Sequence, residues 1–107
     1  MEKYNIEALL SSRSGQPSYH MVAEKSVRIE FRNLDAGQSI GPFAYDGNVI
    51  VTCYRGTFTM VTDVEVDLGI FDQSVIPHNM RTRITCNSAG TVQLIWSPPH
   101  AATKQGE

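Results

Sequence analysis

Three histidines, two cysteines and a tyrosine are the side chains of this chain with the most chemistry to offer. His20, His78 and His100 lie far apart, and no two stand at the i+2 or i+4 spacing that aims a ligand pair at one ion. His78 sits in a Pro77–Asn79 turn, where an exposed polar residue is ordinary. There it is also placed to donate a hydrogen bond or shuttle a proton near neutral pH. Cys53 and Cys86 would act as nucleophiles only beside a cation or base that stabilises the thiolate, and the sequence supplies no clear one. Asp46 and Asp72 fall in turns, without a partner carboxylate at acid–base spacing. Tyr45 follows Phe43 by two positions, so on a strand both rings project from one face.

The elements that position these side chains read as short strands. Val27, Ile29 and Phe31 alternate with Arg28, Glu30 and Arg32, the pattern of a strand apolar on one side and charged on the other. By the same alternation Arg28, Arg32, Arg81 and Arg83 are expected to face out. Residues 48–54 are apolar on both parities and so look covered on both faces. Gly56 is expected to turn a hairpin between that strand and the next, at residues 57–62. Residues 64–68 pair back across a turn near Asp63. Residues 73–76 make a short strand stopped by Pro77, which cannot donate to a ladder. Residues 82–86 and 91–96 are read as two final strands around Asn87-Ser-Ala-Gly90. The first 20 residues leave a brief helix or an extended arm open, since Ile6, Leu9 and Leu10 share one helical face over a short stretch. Many short strands with turns between them indicate an all-β sandwich or barrel.

Two stretches carry a longer-range spacing. The first runs from Gly37 through Phe43, Tyr45 and Val49 to Gly56; the second runs from Asp72 through Pro77, His78, Asn79 and Thr82 to Cys86. This spacing resembles the motifs of the cupin family, G-x5-H-x-H-x3-E-x6-G and G-D-x4-P-x-G-x2-H-x3-N. The resemblance covers residues 37–86 and implies a double-stranded jelly-roll β-barrel. It also implies that the family's three metal-ligating histidines and its glutamate are here Phe43, Tyr45, Thr82 and Val49. Asn79 takes a glycine position of the motif, and Asn is the best non-glycine occupant of the left-handed region.

Those substitutions remove the family's usual chemistry. Phe43 and Val49 offer no donor atom, Thr82 is a weak neutral donor, and a phenol with a reference pKa of about 10 ligates poorly while protonated. No cofactor and no metal site are therefore expected. If the four positions face the barrel interior, Phe43 and Tyr45 either fill the space of the lost metal or wall a pocket whose polar anchor is the Tyr45 hydroxyl. Val49, Val51 and Cys53 then share the inward face with Thr82, Ile84 and Cys86. These eight residues with His78 form the expected ligand-binding set.

At 107 residues with a formal charge of −2, the chain is sized for one domain and has no basic field for nucleic acid. No apolar run spans a bilayer and no basic-then-apolar leader opens the chain, so a cytoplasmic location is expected. The expected organisation is an arm over residues 1–25, a barrel over 26–97 and a loose tail over 98–107. The leading functional expectation is binding of a small organic molecule in the barrel. The alternatives are a homodimeric interaction module, joined through outer strands or an exchanged arm, and a metal-independent acid–base enzyme resembling epimerases of related fold.

Overall fold

A computed structural model describes residues 3–23 and 27–98 of the chain. Helix α1 (Ile6–Ser12) opens on Asn5, whose Oδ1 accepts a hydrogen bond from the Ala8 amide at 2.9 Å. This satisfies one of the donors that a helix start leaves unpaired. Seven strands follow among the described residues: β1 (Ser18–Ala23), β2 (Arg28–Leu34), β3 (Ser39–Phe43), β4 (Val49–Val61), β5 (Glu65–Leu68), β6 (Gln73–Ile76) and β7 (Thr82–Trp96). All pairings are antiparallel. The arm is thus divided: residues 18–23 are the edge strand beside β2, and the helix lies before them. His100 and the tail from residue 99 fall outside the described residues.

Gly56 does not turn a hairpin, and the last two expected strands are one. β4 runs unbroken through Gly56, and β7 runs unbroken through Gly90. The two strands stay paired along their length, with register shifts between Cys53 and Phe58. The physical reason is a shared bend. Gly56 adopts φ 73°, and a Cβ on it would lie 2.4 Å from the Ser88 carbonyl oxygen; a Cβ on Gly90 would lie 2.0 Å from the Arg55 carbonyl oxygen. Two bulged strands cross here at a distance only glycines allow, and each passes from one layer to the other.

Each long strand therefore has two sets of partners. The later half of β7 and the early half of β4 join β1, β2 and β6 in one layer; their other halves join β3 and β5 in the second. Between the layers lies the main core, drawn from both: Val49, Val51, Cys53, Ile76, Val92 and Leu94 meet Phe58, Met60, Leu68, Ile84 and Cys86. A second, smaller cluster forms on the outer face of the first layer, where Leu10 of α1 covers Tyr19 and Phe31.

That second cluster reverses the expected facing of β2. Phe31 pairs with Gln93 and packs under α1, whereas Arg28, Glu30 and Arg32 pair with Trp96, Leu94 and Val92. Directly paired residues share a face, so these charged side chains stand on the barrel side and not on the outer one. Alternation identified the two faces of β2, but the apolar face belongs to the helix. Arg81 and Arg83 are exposed.

Candidate functional site

The four positions aligned with the motifs' ligands come together at one end of the barrel. Phe43 closes β3 directly opposite Thr82, the first residue of β7, and Val49 opens β4 opposite Trp96 and Ile76. Val49 and Thr82 are buried. The Thr82 hydroxyl is already engaged, donating to the Met80 carbonyl at 2.8 Å. Phe43 and Tyr45 are half-buried and meet on the Trp96 ring, with centroids at 5.4 Å and 5.0 Å, the Tyr45 contact being edge-on. Among the described residues no three His, Cys, Asp or Glu side chains come together. The donor set at these four positions consists of one occupied hydroxyl and one phenol, which does not fit a divalent cation needing three or more nitrogen or oxygen ligands.

The remaining inward positions are core. Val51, Cys53, Ile84 and Cys86 are buried with Val49 in the main cluster. Both cysteines are free thiols. Burial pushes the Cys53 thiol up, the Arg55 backbone hydrogen bond opposes that, and nearby Asp72 and Cys86 raise it further. Burial likewise pushes Cys86 up, opposed by the Gly90 backbone and reinforced by Asp35. Each S–H donates to backbone carbonyls, Cys53 to Arg55 at 3.3 Å and Cys86 to Ser88 at 3.1 Å. Such thiols stay protonated and unreactive at neutral pH.

His78 is exposed in its turn. The turn itself holds the site. Asn79, at φ 61°, donates its backbone N–H to the Tyr45 carbonyl at 2.6 Å, and its side chain reaches Asp46 at 3.4 Å. The expectation that Asn79 keeps a left-handed turn is met, and the turn tethers the segment bearing Tyr45.

Sequence reasoning missed the centre of this end. Trp96 donates its indole N–H to Glu30 Oε1 at 2.7 Å, and the Arg28 guanidinium lies 5.0 Å from its ring centroid. Trp96 is thus held by two aromatic rings, a carboxylate and a cation. His20 stands opposite Glu30 on β1, exposed, so an imidazole and a carboxylate share that face. The signal that finds them is register: once β2 pairs with β7, Glu30 follows. A surface cleft of about 230 Å³ opens beside this end, lined by Pro42, Arg81, Thr82 and Arg83, and one of about 400 Å³ opens elsewhere between Gln16, Asn33 and Gly90.

No protein-family model matches the chain, and no curated protein matches it in sequence. Solved structures do match. A cupin superfamily protein from Desulfitobacterium hafniense aligns with TM-score 0.72 at 18% identity, covering 75% of this chain and 74% of its own. A conserved Streptococcus pyogenes protein of unknown function aligns with TM-score 0.72 at 24% identity, covering 78% and 75%. A cupin-2 domain protein from Shewanella frigidimarina aligns with TM-score 0.74 at 11% identity, covering 89% and 94%. The chain has the cupin jelly-roll fold.

Proposed function

We propose that this cupin-fold chain binds a small organic molecule without a metal, at the end of the barrel where Phe43, Tyr45 and Trp96 meet. The reading rests on the setting of Trp96: a half-buried indole locked by two rings, a carboxylate and a guanidinium. Binding sites typically combine rigid apolar walls with a few placed polar groups. Here the rings offer a flat wall, and Glu30, Arg28 and the Tyr45 hydroxyl offer one acceptor, one cation and one donor. A ring-shaped molecule with polar groups at its edge suits that combination. The interior beyond is filled by Val49, Val51 and Thr82, so the ligand sits at the mouth and not deep in the barrel.

A thermal-shift screen of cyclic polar compounds tests the reading. A saturable rise in melting temperature, reduced at least tenfold in apparent affinity by Glu30→Gln, is expected. A protein that responds to no compound, or equally in the variant, contradicts it. A second reading is favoured by His20 and Glu30 on one face with Tyr45 nearby: acid–base chemistry on the same ligand. Turnover that is lost in Tyr45→Phe while binding persists would distinguish it from binding alone.

A further inference from the structure

Two arginines of the second layer share one cleft and have no ion-pair partner among the described residues. Arg81 precedes β7 and Arg83 lies within it, on either side of the buried Thr82. Both line the cleft of about 230 Å³, together with Pro42, Val61 and Thr62. Side chains two residues apart on extended chain share a face, and their Cα atoms lie about 7 Å apart. Arg83 is paired directly with Val61 on β4, and Glu65 of β5 stands beyond Val61. On the other side, β3 shifts register between Ile40 and Phe43, opposite Arg83. Gly41, at φ 95°, makes this bulge possible: a Cβ on it would lie 2.7 Å from the Thr82 carbonyl oxygen. Bulges re-aim strand side chains and recur beside functional sites. Arg83 is thus flanked by Val61 and Pro42, and neither guanidinium makes a hydrogen bond within the described residues.

Like charges set side by side on a sheet repel. The nearest acid in sequence is engaged elsewhere, since Asp63 Oδ1 accepts the Thr62 hydroxyl at 3.0 Å. We propose that this cleft is a phosphate site, in which Arg81 and Arg83 together hold one phosphate group, free or carried by a small molecule. A guanidinium fork matches two oxygens of a phosphate through two parallel N–H donors. A phosphate monoester carries about −1.5 to −2 charges near neutral pH. That balances two arginines, whereas a carboxylate balances one. The oxygens of a phosphate diverge, so one group reaches both side chains at once. A carboxylate presents its two oxygens to a single fork. The inference does not depend on the ring-lined mouth, whose cation is Arg28.

Amide NMR of the full chain, titrated with inorganic phosphate and with phenyl phosphate at constant ionic strength, tests this. Each probe is expected to give saturable shifts centred on residues 61–62 and 81–83. Arg81→Gln and Arg83→Gln, both at exposed positions, are each expected to weaken binding at least about fivefold. Their far-UV spectra should stay unchanged. Arg55→Gln, outside the cleft, is expected to leave binding as it is, and acetate is expected to bind more weakly than phosphate. Tighter binding of phenyl phosphate assigns the site to a phosphorylated small molecule, and equal binding assigns it to the free ion; either supports the site. The absence of saturable shifts with both probes overturns the proposal. So does a response that both cleft variants retain, that Arg55→Gln loses equally, that acetate matches, or that centres on Arg28 and the Trp96 indole.

Discussion

Trp96 is the chain's one tryptophan, and it reports on the end of the barrel where Phe43, Tyr45, Val49 and Thr82 meet. Around it the substitutions at 43, 45, 49 and 82 were legible from spacing alone, because a ligand's absence is a statement about side-chain type. The partnership of Trp96 with Glu30 and Arg28 was not legible, because it depends on which strand pairs with which. The thiols give a prediction at this scale. Burial holds both pKa values above the ordinary thiol value, so the folded state keeps its protons where the unfolded chain loses them. Stability from these groups is fully present below pH ~9 and falls as pH rises beyond it. Urea unfolding at pH 7, 9 and 10 should show that decline, with a shallower slope in Cys53→Ala. A thiol reagent should modify the native protein only at the rate of unfolding. Tyr19 offers a second case. Its hydroxyl is buried with no hydrogen-bond partner among the described residues, so Tyr19→Phe should leave stability unchanged or raise it by up to about 1 kcal/mol in denaturant unfolding.

At the scale of elements, the strands were mostly legible and their continuity was not. Residues 73–76 before Pro77 and the β4–β5 pair turning near Asp63 lie where alternation and turn residues put them. Gly56 and Gly90 were misread because a glycine marks a need for unusual backbone without saying whether the chain reverses or bends. Bending is the answer, since each glycine lets a neighbouring strand approach. Gly90→Ala should therefore cost more than about 2 kcal/mol, as overpacking with no room to relax does, measured by thermal or urea unfolding. Phe71 gives the opposite sign. It occupies the leading glycine position of the second motif with φ 71°, so Phe71→Gly should raise stability by about 1 kcal/mol in the same assay.

For the whole molecule, the jelly roll followed from half the chain's spacing, and the solved cupin structures agree with it. What spacing could not supply was the second apolar face. Residues 48–54 read as covered on both sides, and the described residues supply part of that cover through α1. No helix among the described residues is long and apolar enough to cross a membrane. The molecule is thus a barrel with a filled interior and an aromatic mouth.

The central claim is that the end of the barrel where Phe43, Tyr45, Val49 and Thr82 meet is closed to cations, because those four side chains do not offer a sufficient ligand set. Val49 and Trp96 are directly paired, so a cation held at that site would lie within quenching reach of the indole. Trp96 emission titrated with Ni²⁺ or Mn²⁺, and separately with the best compound of the thermal-shift screen, tests this directly. The account predicts no saturable response to either ion and a saturable response to the organic compound that survives a chelator. Saturable quenching by an ion, reversed by chelator, would contradict it.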